Sequence, residues 1–130
     1  MPRKGPLLQL SREHHAALVL SRDIAGSPVP MPSDVLGQFN ARIARYWQAE
    51  LQGHFQQEEA ILAQLPDALP SPLLQRLLAD HRALAEGVRQ ATNLTMDEAA
   101  LRVWGQRLSA HVRMEERECF LLMQAALGLD

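Results

Sequence analysis

A chain of 130 residues, 47% apolar and 22% charged, has the size and balance of one globular domain, 1–130, with a single buried core. A net charge of −2, without long runs of one sign, offers no electrostatic footprint for nucleic acid or an anionic membrane. One cysteine, Cys119, excludes an internal disulfide or a thiolate cluster, so any metal must be held by nitrogen and oxygen.

The residues from Met1 to Leu10 hold too few apolar positions for a signal-peptide core, and no run is long enough to span a bilayer. The expected location is the cytoplasm. Strand signals are missing: β-branched residues are few and alternation is short. The expected fold is all-α.

The first helix is expected from about Leu8 or Ser11 to Ala25. Three prolines in the five residues 28–32 then forbid a helix. Ser33 is the expected N-cap of a second helix reaching about Leu65. Its stripe runs through Val35, Leu36, Phe39, Ile43, Trp47, Leu51, His54, Glu58, Ile61 and Leu65. Pro66 ends it. Ser71-Pro72 opens a third helix, with Leu73, Leu74, Leu77, Leu78, His81, Leu84 and Val88 on its face, fading near residues 90–93. Thr95-Met96-Asp97-Glu98 reads as a capping box for a fourth. Its stripe is Leu101, Trp104, Leu108, His111, Glu115, Glu118 or Cys119, and Leu122, with Gly128 as terminator. Brief connections between these helices imply an antiparallel up-down-up-down four-helix bundle.

Two stretches share a pattern. His54-Phe-Gln-Gln-Glu58-Glu59 and His111-Val-Arg-Met-Glu115-Glu116 are both His-x-x-x-Glu-Glu. On a helix, positions i and i+4 share one face, so each copy points an imidazole and a carboxylate at one place. The match extends outward. A Trp stands seven residues before each His (Trp47, Trp104), a Leu three before (Leu51, Leu108) and a Leu eleven after (Leu65, Leu122). The first and third helices also align, Glu13-His14-His15-Ala16 with Asp80-His81-Arg82-Ala83. That alignment, and the apolar company of Leu10, Ala17, Leu18 and Ile24, turn His14 inward and leave His15 at the boundary or surface.

Four imidazoles and two carboxylates meeting in an apolar bundle cost several kcal/mol unless a cation takes them as ligands. They are too many for a closed tetrahedral zinc site. They suit two metals bridged by the two glutamates, with two histidines each, and the donor set favours iron or manganese. The bland alternatives are ordinary ones: a hydrogen-bonded core histidine at position 81, or surface i,i+4 pairs. Two matched pairs plus an inward histidine on each other helix favour metal. Trp47 and Trp104 read as core fillers, and Cys119 as a small buried apolar residue. Glu59 and Glu116 read as solvated, with a possible role accepting an imidazole N–H. Glu13 and Asp80 are open to either role.

Leu10-Ser11-Arg12-Glu13-His14-His15, His54-x-x-x-Glu58-Glu59, Asp80-His81 and His111-x-x-x-Glu115-Glu116 together resemble the hemerythrin-like (HHE cation-binding) domain over nearly the whole chain. The resemblance implies a bundle around a non-haem di-iron centre with carboxylate and oxo or hydroxo bridges. Its metal ligands are then His14, His54, Glu58, His81, His111 and Glu115. The oxygen-carrying members have another histidine one turn beyond the third-helix ligand, where this chain has Ala85, and an Asp where it has Glu115. The implied centre therefore leaves a position for an exogenous ligand, with Glu86 and Tyr46 the first side chains to consider for filling it. The function implied is binding of dioxygen or a related small oxidant, peroxide or nitric oxide, for sensing or detoxification. A second reading is iron storage or handling, and a third a partner-binding bundle with a structural metal.

Overall fold

The computed structural model describes residues 3–129, all of whose regular structure is helical. Four helices cross the molecule. Helix α1 is Pro6–Ala25. Helix α2, residues 33–64, is α-helical over Ser33–Tyr46 and Gln52–Gln64, with a π turn at Trp47–Leu51 between them. Helix α3 is Ser71–Thr92. Helix α4, residues 98–126, is α-helical over Glu98–Met114 and Phe120–Ala126, around a π turn at Glu115–Cys119.

Contacts at the two ends set α1 antiparallel to α4. Near the start of α1, the Lys4 amide donates to Gln124 Oε1 (3.2 Å) at the end of α4. At the other end of α1, the Arg102 guanidinium donates to the carbonyls of Ile24 (3.1 Å) and Pro28 (2.9 Å). Gly105 lets this crossing close, since a Cβ there would meet Ile24 Cγ2 at 3.3 Å. Between α3 and α4, a Cβ at Gly87 would strike the Trp104 indole, whose Nε1–H donates to Leu84 O at 3.0 Å.

The helix starts differ from their expected chemistry. Pro6 opens α1 earlier than Leu8, because proline is already helical at φ and has no N–H to satisfy. Ser33 makes no capping bond and lies inside α2, behind an extended Pro32. Asp97, rather than Thr95, caps α4 and accepts from the Ala100 amide at 2.8 Å. The expected partner in a capping box, Glu98, instead accepts from the Met31 amide (2.7 Å) across the bundle end. Gly128 does end α4, at φ 72°.

The π turns move the stripes. An i→i+5 turn carries one extra residue, so every side chain beyond it advances by one position. In α2 the buried set becomes Leu51, His54, Phe55, Glu58 and Leu62, while Ile61 and Leu65 fall to the margin. In α4 Cys119, Phe120 and Met123 are buried, whereas Leu122 is 38% exposed. Trp104 is buried, and Trp47 is half-buried with its ring edge-on to Phe55 at 5.9 Å.

The buried apolar residues form two clusters rather than one. The larger runs from Ala17, Leu20 and Ile24 to Leu84, Leu101, Trp104 and Val112. The smaller gathers Leu7, Leu10, Leu62, Leu77, Phe120 and Met123 at the other end. Between them lie the buried polar residues His14, His54, Glu58, His81, His111 and Glu115.

Candidate metal centre

Each helix delivers at least one side chain to this layer. α1 supplies His14, α2 His54 and Glu58, α3 His81, and α4 His111 and Glu115. All six are buried, with Glu58 and Glu115 both at 0% exposure. His15, the neighbour of His14, is exposed.

The six side chains converge in two overlapping sets. His14, His54, Glu58 and Glu115 have one ligand atom apiece within 4.8 Å of one another, and so do Glu58, His81, His111 and Glu115. The two carboxylates belong to both sets. Nε2 of His14 lies 2.9 Å from Glu115 Oε1, and Nε2 of His54 is 3.0 Å from Glu58 Oε2. Nε2 of His81 lies 3.0 Å from Glu58 Oε1, and Nε2 of His111 is 3.3 Å from Glu115 Oε1.

Apart from the His14 Nε2–Glu115 Oε1 hydrogen bond, proximity here is not hydrogen bonding. Both Glu58 oxygens, Glu115 Oε2, His81 Nε2 and His111 Nε2 are buried without a hydrogen-bond partner. Orphaned buried polar atoms cost free energy one by one. Five in one layer, aimed at the spaces between them, suit cations as the missing partners. Imidazole nitrogen and carboxylate oxygen are donors of the kind iron takes.

The outer ring nitrogens are all occupied. Nδ1–H of His54 donates to Glu13 (2.8 Å) and that of His111 to Asp80 (3.0 Å). Nδ1–H of His14 donates to Glu116 (2.6 Å) and that of His81 to Glu59 (2.7 Å). A carboxylate can only accept, so each pair places a ring proton on Nδ1; in the neutral imidazole the Nε2 lone pair then faces inward. The pairing is reciprocal. The acid before His14 holds the histidine of α2, and the acid before His81 holds that of α4. The acid after Glu115 holds His14, and the acid after Glu58 holds His81. Glu59 and Glu116, which read as solvated in the sequence, are engaged, as are the undecided Glu13 and Asp80.

Two aromatic rings that the sequence stripes omit complete the layer. Phe55 stacks on His81 at 3.8 Å between centroids, and Phe120 on His14 at 5.1 Å. The signal for Phe55 was its place beside His54. Phe120 had none, since the π turn brings it inward.

Without a cation the layer titrates abnormally. Burial lowers His54, but the Glu115 and Glu58 carboxylates outweigh it and push the imidazole up to about 11. Burial likewise lowers His111, and Glu115 with Asp80 pushes it up to about 10. Burial and the charge of Glu115 raise Glu58. Burial would raise Glu115 too, but His111, His14 and His54 hold it well below the usual carboxylate range. The Cys119 thiol is pushed up to about 12 by burial and then by Glu115 and Glu58, so it is no ready thiolate. Burial and the charges of Glu50, Glu13 and Glu58 raise the Tyr46 phenol, which is therefore neutral at pH 7. Glu86 faces outward, paired with Arg89 at 2.6 Å.

No helix of the described residues is long and apolar enough to cross a membrane. The chain matches no curated protein and no solved structure. Residues 6–122 match the family model of the hemerythrin HHE cation-binding domain, and the chain, whose buried histidines and glutamates converge in two sets that could hold a cation, belongs to that family.

Proposed function

We infer that this chain is a non-haem di-iron protein that binds dioxygen or a related small oxidant, peroxide or nitric oxide, in sensing or detoxification. One observation carries the reading: two four-residue donor sets share both of their buried carboxylates. His14 and His54 would hold one ion, His81 and His111 the other, and Glu58 and Glu115 would bridge them. Iron so held supplies a redox-active Lewis acid for a small oxidant. The chain supplies the rest. Glu13, Glu59, Asp80 and Glu116 fix the four imidazoles with Nε2 inward. The two apolar clusters shut bulk water out of the layer from both ends.

The third helix gives only His81 to the layer. One turn on stands Ala85, half-buried, whose methyl offers no donor. An ion held by His81 and His111 would therefore keep a position for an exogenous ligand. Azide tests this directly. Protein loaded anaerobically with ferrous iron and then oxidised should develop a visible charge-transfer band on adding azide. A spectrum that azide leaves unchanged would remove the small-ligand reading and favour iron storage.

A further inference from the structure

Away from the metal layer, α1 and α4 leave a groove on their outer side with a volume of about 610 Å³, within the size range of small-molecule sites. We propose that it binds a small linear organic dianion, a dicarboxylate with an aliphatic spacer.

Charge is the first argument. The chain is net acidic, yet Arg22, Arg102 and Arg113 line this groove with His15, and no carboxylate does. Arg102 is committed, to Glu98 (3.0 Å) and to three backbone carbonyls. Arg22 and Arg113 have no ion pair among the described residues, and both are exposed.

The floor is the second argument. Ser21 lines the groove at only 7% exposure, and its buried hydroxyl has no hydrogen-bond partner. A buried hydroxyl without a partner is costly, and an anionic oxygen in the groove would accept from it.

Spacing sets the ligand's shape. His15 and Arg22 are seven residues apart on α1, about 10 Å at the helical rise. Arg113 lies at the His15 end, because α4 runs antiparallel and its Glu115 and Glu116 meet His14. Cations thus stand at both ends, while exposed Leu18 and half-buried Val19 line the stretch between. Two carboxylates joined by about six methylenes span that distance and match that order.

Calorimetric titration of the 130-residue chain with suberate, octanoate and octane-1,8-diol separates the contributions. Suberate should bind at least tenfold tighter than octanoate, and the diol should give no measurable binding. Arg22→Ala and Arg113→Ala, both at exposed positions, should each weaken suberate about tenfold and leave the circular dichroism spectrum unchanged. Ser21→Ala should weaken suberate several-fold while raising the melting temperature of the ligand-free chain; a purely structural serine would show only the second effect. Equal affinity for suberate and octanoate, suberate binding indifferent to both arginine changes, or no binding of any of the three would overturn the proposal. Because the groove shares no residue with the donor sets, these results stand apart from the metal content.

Discussion

In the α1–α2 half of the bundle, His14 and His54 face the shared carboxylates; in the α3–α4 half, His81 and His111 do. The Nδ1 partners repeat as well, Glu13 with Asp80 and Glu116 with Glu59. The supports behind those partners do not repeat. Glu116 is 31% exposed on its side chain and also accepts from Ser11 Oγ (2.8 Å) and from Arg3 (3.4 Å). Glu59 is 47% exposed and has His81 as its one partner among the described residues. The π turns differ too, preceding the motif in α2 and beginning at Glu115 itself in α4. The repeated motif thus presents the same inner face with different outer supports. The ion beside His81 is expected to be the more loosely held.

The largest effect should come from the residues common to both halves. Glu58→Ala or Glu115→Ala is expected to remove both ions together. The melting temperature should fall accordingly, since a cation at a thousandfold excess over its Kd stabilises by about 4 kcal/mol. Loss of one ion alone would break the shared-bridge account.

Next come the histidines of one half. His14→Ala should lower iron content by one ion per chain, and His15→Ala should leave it unchanged, because His15 is exposed. Iron lost only on changing His15 would overturn the assignment of α1.

The outer carboxylates sharpen the comparison itself. Removing such a partner costs on the order of 10- to 100-fold in metal affinity. Glu116→Gln should lie near the upper end, because Ser11 and Arg3 hold that carboxylate rigid. Glu59→Gln should lie near the lower end. Equal losses would mean that the extra supports of Glu116 contribute nothing to the centre.

Ala85→His should act on the α3–α4 half alone, slowing azide exchange several-fold at unchanged iron content. Stopped-flow absorbance reads this, and an unaltered exchange rate would show that position 85 does not reach the ion.

The smallest effect concerns pH. In metal-free protein, His54 and His111 sit above their ordinary value near 6.5. A raised imidazole contributes stability that is full below the unfolded value and is lost as pH rises through the folded one. Metal-free protein should therefore lose denaturant resistance between about pH 6.5 and the folded values near 10 to 11. Iron binding should release protons over the same range. Resistance that rises with pH across this window would contradict the arrangement.

Much of this was legible in the residues. Pro28, Pro30, Pro32, Pro66 and Pro70 mark two of the three connections between helices, and the two His-x-x-x-Glu pairs mark the polar layer. Residue order carried no mark of the π turns, because an i→i+5 bond has no composition of its own. Hence Leu122 was placed inside, and Phe120 and Met123, both buried, were overlooked. Glu59 and Glu116 lie one residue off the buried stripe, where side chains normally meet water. Only the approach of a neighbouring helix, α3 for Glu59 and α1 for Glu116, turns them into acceptors. The caps at Ser33 and Thr95 failed for a related reason: Pro32 and Asp97 reached the helix ends first.

The most direct test is elemental analysis of iron-reconstituted protein, wild type beside Glu58→Ala. Two iron ions per chain in the wild type, and the loss of both in the variant, is the result predicted. One iron or none in the wild type, or one retained in the variant, would contradict a pair of cations bridged by Glu58 and Glu115.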